Sequence, residues 1–356
     1  MPSSGAVIVI FLRGGADGLT LVPPIGDDDY RRARRGLAIA QGNARRLDDL
    51  FSLHPRLAPL EPFYREGHLA VVPAVGCASD TRSHFEAQDI VESGGEDMAG
   101  GWLGRWLRLT QPEASGLPAI ALATASVPRS LNGAPGAVAA RSLGALTLTA
   151  PMTRLRPQLE SLYASDDLLG PAAADTLGAV DRVERVLGSA PPARADGAPG
   201  AMFAESLRQI AQLLMADVGL RAACLDLPGW DSHIAQDDHL EPLLDALGQG
   251  LATFGATLGR LLEETSVVVM TEFGRRVPPN SAGGTDHGRA SVMLVLGGVR
   301  GGIHGRWPGL ANLDGPGDLP VAQDYRDVLA GVLARHGPRE RLEGVFPGHR
   351  ITPLSL

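Results

Sequence analysis

The fold is decided by one stretch, which reads Ser266-Val-Val-Val-Met-Thr-Glu-Phe-Gly-Arg-Arg-Val-Pro-Pro-Asn-Ser-Ala-Gly-Gly-Thr-Asp-His287. Its apolar run, Val267 to Met270, has the length of a buried strand. The polarity changes abruptly at Glu272, and a loop rich in glycine and proline follows. The pair Asp286-His287 then stands just before a second apolar run at residues 293–296. Because active sites in open parallel sheets form at strand ends, we expect groups that bind a metal or move a proton here.

Apolar runs and amphipathic helical patterns alternate along the rest of the chain. Strands are predicted at residues 6–12, 69–76, 117–125, 143–149, 222–227 and 291–297. Helices are predicted at residues 55–67, 101–108, 155–188, 201–218, 240–263 and 328–335. This alternation predicts an α/β fold, a mainly parallel sheet with helices on both faces. We expect one such domain over residues 1–356, with residues of about 150–220 as a candidate helical insert or cap.

Composition excludes some classes of partner. The net charge of −8 argues against a nucleic-acid or anionic-membrane surface. It leaves an anionic substrate open, because a few arginines can set the local potential. No apolar run reaches the ~18 residues of a membrane span. The chain enters its first strand without a basic, leader-like segment. We therefore expect a cytoplasmic protein, or a periplasmic or secreted one whose leader was removed; the sequence does not define an oligomeric state.

Polar groups recur at the predicted strand ends. Asp17 follows the first strand in a glycine-rich turn, and Asp231 and His233 follow a later one with a spacing that aims both at one point. The collected groups are Asp17, Ser83, Asp231, His233, Glu272, Asp286 and His287. Carboxylates crowded together repel each other unless a cation or a proton compensates them. One or two divalent ions would do so, with Zn or Mn suiting mixed nitrogen and oxygen ligands and Mg or Ca suiting oxygen.

A helix start follows the second strand. Ser83 is a good N-cap, and Glu86 completes a capping-box pattern. A hydroxyl there meets the positive end of the helix, which favours bound anions. Two interpretations stay open, a plain cap and a nucleophile or anion-site residue, and the flanking Arg82 and His84 join the catalytic candidates. Farther upstream, the basic cluster at residues 31–35 is predicted to be a solvated helix face rather than a binding patch.

Seven blocks, in chain order, resemble the signature of the bacterial "domain of unknown function 1501" family. They are Phe11–Gly18, Leu53–Leu60, Arg82–Gln88, Gly101–Arg105, Gly229–His233, Thr271–Arg275 and Gly284–Gly288. That family resembles the alkaline-phosphatase superfamily, which includes phosphatases, sulfatases and cofactor-independent phosphoglycerate mutases. The resemblance implies an alkaline-phosphatase/sulfatase-like fold.

The resemblance also implies roles for single residues. Asp17 matches a metal-binding aspartate, and Ser83 is similar in place to the superfamily's nucleophile. Asp231 and His233 match one metal's ligands, and His287, beside Asp286, is similar to a last histidine ligand.

This sequence departs from the superfamily at three places, and the first is the spacing of Asp231 and His233, which is shorter than usual. Glu272-Phe273 stands where an Asp-His pair binds the second metal, which permits a single metal. The sulfatase motif Cys-x-Pro-x-Arg is absent, since Cys77 is followed by Ala, Ser and Asp.

The implied activity is metal-dependent hydrolysis of a small anionic ester, a phosphate or a sulfate. Arg13, Arg82 or Arg275 would clamp its oxygens, because a guanidinium matches that geometry. One alternative is a metal-free serine hydrolase using Ser83, His287 and an aspartate, although the Gly-x-Ser-x-Gly elbow is missing. The other is a non-catalytic binding or assembly protein on a decayed hydrolase scaffold.

Overall fold

A computed structural model describes residues 5–110, 116–148, 150–164, 170–188 and 199–356. The strands are β1 Val7–Arg13, β2 Arg45–Arg46, β3 Ser52–Leu53, β4 Leu69–Gly76, β5 Ala119–Leu122, β6 Ala137–Ala140, β7 Ala222–Pro228, β8 Ser266–Met270, β9 Ser291–Gly297, β10 Gly302–Ile303 and β11 Gln323–Asp324. The α-helices are α1 Gly18–Leu21, α2 Tyr30–Ala33, α3 Glu61–Arg65, α4 His84–Ser93, α5 Trp102–Thr110, α6 Ala150–Tyr163, α7 Gly170–Leu187, α8 Pro199–Met215, α9 Gln236–Leu258, α10 Tyr325–Leu333 and α11 Leu342–Val345. Short 3₁₀ turns lie at Pro55–Leu60, Arg129–Leu131, Leu143–Leu146, Gly259–Glu264 and Arg339–Arg341.

Nine of the described strands form one sheet. Its order is β10-β4-β9-β8-β1-β7-β5-β6, and β11 pairs with β4 beyond β10's end. Strand β1 lies at the centre, parallel to β7 on one side and to β8 on the other. The fold class predicted from the sequence, an α/β fold with a mainly parallel sheet, is confirmed.

The core covers both faces of this sheet. Alternate residues of β1 point to opposite sides, so Ile8, Ile10 and Leu12 join one apolar cluster while Val7, Val9 and Phe11 join the other. Helices α8 and α9 contribute to the first cluster, and helices α5 and α10 contribute to the second. A strand buried on both faces needs an unbroken apolar sequence, which is what β1 has.

Strand β9 runs against its neighbours. It is antiparallel to both β8 and β4, whereas β1, β7 and β8 are parallel to one another. The beginning of β9 therefore lies at the same edge of the sheet as the ends of β1, β7 and β8. This topology carries the segment before β9, residues 286–290, to the edge where Asp17, Asp231 and Glu272 emerge.

Some element predictions need correction. The strand predicted at residues 143–149 is wrong within the described part of the chain, where residues 143–146 form a 3₁₀ turn and the strand is β6 instead. Leu143 and Leu146 pack on the core without an extended backbone. The helix predicted at residues 155–188 is described as two, α6 and α7. The sequence also predicts a linker rich in proline, glycine and alanine at residues 188–200, which falls largely outside the described residues.

Helices α6, α7 and α8 occupy the region of about 150–220, so the insert or cap expected there stays a prediction. Among the helices of the described ranges, none combines the length and the apolar character needed to cross a bilayer.

Candidate metal centre

Three histidines and one aspartate meet at the carboxyl edge of the sheet. His84 is the first residue of α4, Asp231 and His233 follow β7, and His287 precedes β9. The Nε2 atom of His287 lies 3.0 Å from Nε2 of His84 and 3.0 Å from Nε2 of His233. The Oδ1 atom of Asp231 lies 3.2 Å from Nε2 of His287, 3.0 Å from that of His233 and 3.6 Å from that of His84.

The opposite nitrogen of each ring is held by an acceptor. Nδ1 of His84 is 2.8 Å from Oε1 of Glu272, and Nδ1 of His233 is 3.3 Å from Oδ1 of Asp286. Nδ1 of His287 is 2.9 Å from the backbone carbonyl oxygen of Arg82. Because a carboxylate and a carbonyl only accept, the hydrogen-bond network assigns the proton of each neutral ring to Nδ1.

The Nε2 lone pair of His287 therefore faces the Nε2 atoms of His84 and of His233, and Oδ1 of Asp231. Lone pairs at such distances repel unless a positive charge lies between them. The ligand atoms of His84, Asp231 and His287 all fall within 4.8 Å of one another. Ligands 2.0–2.1 Å from a tetrahedral zinc ion are roughly 3.3 Å apart, which is the spacing of these atoms. Imidazoles anchored through their second nitrogen are also the usual arrangement of histidine metal ligands. The residues thus fit a divalent cation.

The pKa values of the rings follow their partners. The hydrogen bond that His84 donates to Glu272 raises the pKa of His84 above its ordinary value, against the effect of burial. Burial lowers the pKa of His287, and the nearby Arg275 adds to this effect. A proton on His84 would satisfy its contact with His287, but His287 has a single Nε2 lone pair and two imidazole neighbours. A cation between His84, His287 and Asp231 satisfies the contacts among these three groups together.

Glu272 orients His84 through its contact with Nδ1 of the ring. Its side chain is buried, and Oε1 also accepts hydrogen bonds from Gln88 Nε2 at 2.8 Å and from the backbone N–H of Gly14 at 2.9 Å. Burial alone would raise the pKa of Glu272, but the hydrogen bonds from His84 and Gln88 outweigh it and keep the pKa below the usual value. The carboxylate is charged and fully engaged, so it supports a ligand rather than facing the centre.

Gly14 allows the segment of Asp231 to approach the end of β1 closely. Its φ is +120°, and a Cβ atom there would lie 2.5 Å from the backbone nitrogen of Asp231. Only glycine combines that backbone with so close a contact. The glycine-rich turn after the first strand therefore allows the segment of Asp231 to pack directly against the end of β1.

Arg275 holds Asp231. Its guanidinium is fully buried and donates to Oδ1 of Asp231 at 2.6 Å, and to the carbonyl oxygens of Gly15 at 2.8 Å and Thr285 at 2.9 Å. Burial tends to raise the pKa of Asp231, but the hydrogen bond and charge of Arg275 prevail and lower the pKa to about 2. Asp231 is thus an anion at neutral pH, in a fixed position.

The structure does not bring Asp17 to this cluster. Asp17 is buried, pairs with the buried guanidinium of Arg34, and accepts from Thr20 Oγ1 at 2.8 Å and from Gln236 Nε2 at 2.6 Å. Its other oxygen accepts from the N–H of Leu19 as the cap of α1. Both oxygens therefore have protein partners, and none of these is an imidazole.

Ser83 caps α4. Its exposed Oγ accepts from the backbone N–H of Glu86 at 3.4 Å. Among the described residues it has no hydrogen bond to an imidazole, so no Ser-His-Asp arrangement is formed with His287. The serine nevertheless directly precedes His84 at the start of a ten-residue helix.

The arginines proposed as clamps for the substrate form ion pairs and hydrogen bonds with other residues of the protein. Arg13 pairs with Glu92 and with Asp226. Arg82 donates to the carbonyl oxygen of Gly288 at 2.7 Å and pairs with the buried Asp318. Like Arg275, these two side chains stabilise the walls of the site.

Sequence reasoning missed two side chains here. Arg34 was predicted to lie on a solvated face, which is wrong, because it is fully buried against Asp17. Gln236 was not singled out, although it too is fully buried beneath the cluster. Neither Arg34, one of several arginines in a basic run, nor Gln236 at a helix start has a local sequence signal for its role, because its partners lie in other segments of the chain.

Fold and site together define an α/β protein with a candidate metal centre at the carboxyl edge of its sheet. The chain belongs to the family described as "Protein of unknown function (DUF1501)", which matches residues 73–322. A comparison with curated proteins finds no match.

Several solved structures are similar to the chain. The C-terminal periplasmic domain of EcEptC from Escherichia coli is 9% identical with a TM-score of 0.43, covering 98% of this chain and 88% of that one. A protein in the alkaline phosphatase superfamily from Vibrio parahaemolyticus is 9% identical with a TM-score of 0.42, covering 94% and 66%. Alkaline phosphatase from the Antarctic bacterium TAB5 is 10% identical with a TM-score of 0.37, covering 82% and 90%.

Proposed function

We propose that the protein is a metal-dependent hydrolase of small anionic esters, phosphate or sulfate, with one divalent cation held by His84, Asp231 and His287. His233 adjoins this set, with its Nε2 3.0 Å from Nε2 of His287 and from Oδ1 of Asp231. The observation that carries the proposal is that Nε2 of His84, Nε2 of His287 and Oδ1 of Asp231 lie 3.0–3.6 Å from one another. Two nitrogen donors and one oxygen favour Zn or Mn over Mg or Ca.

A single ion is supported by the charges around the site. The carboxylate of Asp17 is already compensated by Arg34, and that of Glu272 by hydrogen bonds from His84 and Gln88. Asp286 accepts from Asn280 and pairs with Arg276. No uncompensated set of carboxylates is left among the described residues of the site for a second ion.

A divalent ion of this kind, when bound, supplies Lewis acidity to an ester oxygen. The chain's own groups support access and orientation. The side chains of Asp231 and His233 are 47% and 41% exposed, so the cluster opens to solvent and a substrate can reach it. The positive end of α4 adjoins His84 and favours an anion. Ser83 at that helix end is the proposed nucleophile. This role requires its Oγ to release the hydrogen bond that it accepts from the backbone N–H of Glu86.

We propose that two exposed side chains form an apolar frame for the substrate. Phe85 is 88% exposed and Ile234 is 70% exposed, the two highest values among large hydrophobic residues in the described chain. They directly follow the ligands His84 and His233. An exposed phenylalanine gains roughly 2–3 kcal/mol when it is covered. We therefore expect an ester whose organic group is apolar.

The proposal is tested by metal analysis of the purified protein and by a hydrolysis screen on aryl and alkyl phosphates, phosphodiesters and sulfates. We expect about one equivalent of Zn or Mn, and activity that a chelator removes and the ion restores. His84→Ala should lose both metal and activity, while Ser83→Ala should lose activity and keep the metal.

Other results would favour the alternatives. A chelator-insensitive activity with fluorophosphonate labelling of Ser83 would mean a metal-free serine hydrolase. Tight metal binding with no hydrolysis of any ester class would mean a non-catalytic binding protein. Protein that stays metal-free after reconstitution with Zn, Mn, Mg and Ca would refute the proposed centre.

A further inference from the structure

A buried polar network lies beneath the candidate centre and takes no direct part in it. Its members lie in four segments of the chain, and each is at most 3% exposed. They are Asp17, Thr20, Arg34, Ser232, Gln236 and Thr285. A buried polar network persists only when its members satisfy one another, and it then fixes a single arrangement.

Gln236 is the hub of this network. Its Oε1 accepts from Ser232 Oγ at 2.9 Å and from Thr285 Oγ1 at 2.6 Å. Its Nε2 donates to Asp17 Oδ2 at 2.6 Å and to Thr20 Oγ1 at 3.0 Å. A side-chain amide has two acceptor sites and two donors, so the hydrogen-bonding capacity of Gln236 is completely used. This fixes the orientation of the amide.

The two hydroxyl groups belong to the two segments that carry ligands. Ser232 lies between Asp231 and His233 in the chain, and Thr285 lies two residues before His287. The backbone N–H of Thr285 also donates to the carbonyl oxygen of Ser232 at 3.0 Å. One amide oxygen thus joins the segment that follows β7 to the segment that precedes β9.

Gln236 is itself held by α9 and by Asp17 at the end of β1. Gln236 is the first residue of the long helix α9, and its backbone N–H donates to the carbonyl oxygen of Gly283 at 2.9 Å. The Nε2 group of Gln236 donates to Asp17, which follows the end of β1. Asp17 in turn forms an ion pair with Arg34. Arg34 also donates to the carbonyl oxygen of Val277 at 3.1 Å.

We propose that Gln236 is a positioning residue for the metal centre, that it sets the separation of the Asp231–His233 and His287 segments, and that Asp17 anchors it instead of binding the ion. This inference rests on the proposed metal centre and assigns roles that the centre alone does not require. Ligands must be held within roughly 0.5 Å of their working positions. Loss of a partner behind the ligands typically weakens metal binding by about 10–100-fold.

The test uses Gln236→Met in the full chain, which keeps length and apolar volume but removes all four hydrogen bonds. Zn²⁺ affinity is measured by chelator competition, and the site geometry by the visible spectrum of the Co²⁺-loaded protein. We expect Zn²⁺ to bind about 10–100-fold more weakly and the Co²⁺ bands to shift or lose intensity. Ser232→Ala and Thr285→Val should each weaken binding less, and add little in the Gln236→Met background.

Gln209→Met is the matched control. Gln209 is also buried, and its amide accepts from the N–H of Leu143 at 2.7 Å and donates to Glu205 at 2.6 Å, away from the centre. This variant should lose stability but keep the wild-type Zn²⁺ affinity and Co²⁺ spectrum.

Wild-type affinity and spectrum in Gln236→Met, with only stability lowered, would overturn the inference and leave the centre standing. A wild-type protein that binds neither ion would overturn both. If Gln236→Met does not fold, the two hydroxyl variants carry the test, and unchanged affinity in both would overturn the inference.

Discussion

Nε2 of His84 lies 3.0 Å from Nε2 of His287, although the Nδ1 atom of each ring is already placed to donate to an acceptor. Two neutral imidazoles arranged in this way present lone pairs to each other. Glu272 and the carbonyl oxygen of Arg82 impose the arrangement from outside. The surrounding protein thus holds the rings in a geometry that is favourable only with a positive charge between them.

Glu272→Gln tests the orientation of His84. The variant keeps an acceptor oxygen for Nδ1 but removes the charge that makes the imidazole a stronger donor to a cation. We expect Zn²⁺ affinity to fall about 10-fold or more, measured by chelator competition. Glu205→Gln, a change at a carboxylate paired with Arg208 on α8, is the control and should leave the affinity unchanged. Equal affinity in both variants would contradict the assigned role of Glu272.

Arg34→Met tests the assignment of Asp17 to an ion pair. Both side chains are at most 1% exposed, so the variant leaves an uncompensated buried carboxylate. We expect the free energy of unfolding to fall by about 3–5 kcal/mol in urea denaturation of the metal-free protein. The double variant Arg34→Met/Asp17→Leu should recover much of this loss. A loss below about 1 kcal/mol in Arg34→Met would argue that Asp17 has another compensating cation.

His336 gives the metal-free protein a defined pH dependence. Burial, together with the charges of Arg221 and Arg335, lowers its pKa from 6.5 to about 4. Because the folded-state pKa is the lower one, the unfolded chain takes up a proton first as the pH falls below 6.5. The stability contributed by neutral His336 is therefore complete above that pH and is lost on acidification toward pH 4.

The expected size follows from the shift. Between pH 7.5 and pH 5, His336 alone should cost the wild type about 2 kcal/mol of unfolding free energy. His336→Gln, which retains a hydrogen-bonding group for Ser266, should show a pH-dependent loss smaller by about that amount. His304→Gln serves as the control variant. The measurement is chemical denaturation at the two pH values. An equal pH-dependent loss of unfolding free energy in wild type and His336→Gln would contradict the role of His336.

Phe85→Ser and Ile234→Ser test the apolar frame of the site. Each variant should raise KM for aryl or hexyl esters several-fold and leave kcat nearly unchanged, since a buried CH₂ group contributes about 0.8 kcal/mol. Methyl esters of the same class should be unaffected. Met215→Ser, at a 51% exposed residue of α8, is the control. Equal effects on methyl and hexyl esters would contradict a role for these side chains in substrate choice.

The sequence predicts local features of this protein better than its long-range ones. The unbroken apolar run of β1, the cap at Ser83 and the glycine-rich turn at Gly14 each depend on neighbouring residues, and each is found where it was expected. The antiparallel direction of β9 is a property of the whole sheet. No local pattern encodes it, although it is what brings His287 to the ends of the parallel strands.

The same distinction applies within the site. The short spacing of Asp231 and His233 indicates one shared target, and their side chains do approach to 3.0 Å. The role of Arg34 depends on a partner, Asp17, in another segment, and Gln236 is linked to residues up to 219 positions away. Spacing in the chain cannot report such contacts, because the topology of the sheet creates them.

The most direct test of the central claim is an anomalous difference map from crystals of the Zn²⁺-loaded protein, recorded at the zinc edge. The account predicts a single peak about 2.0–2.2 Å from Nε2 of His84, Nε2 of His287 and a carboxylate oxygen of Asp231. A map with no peak among these atoms, or with its peak beside Asp17, would contradict it.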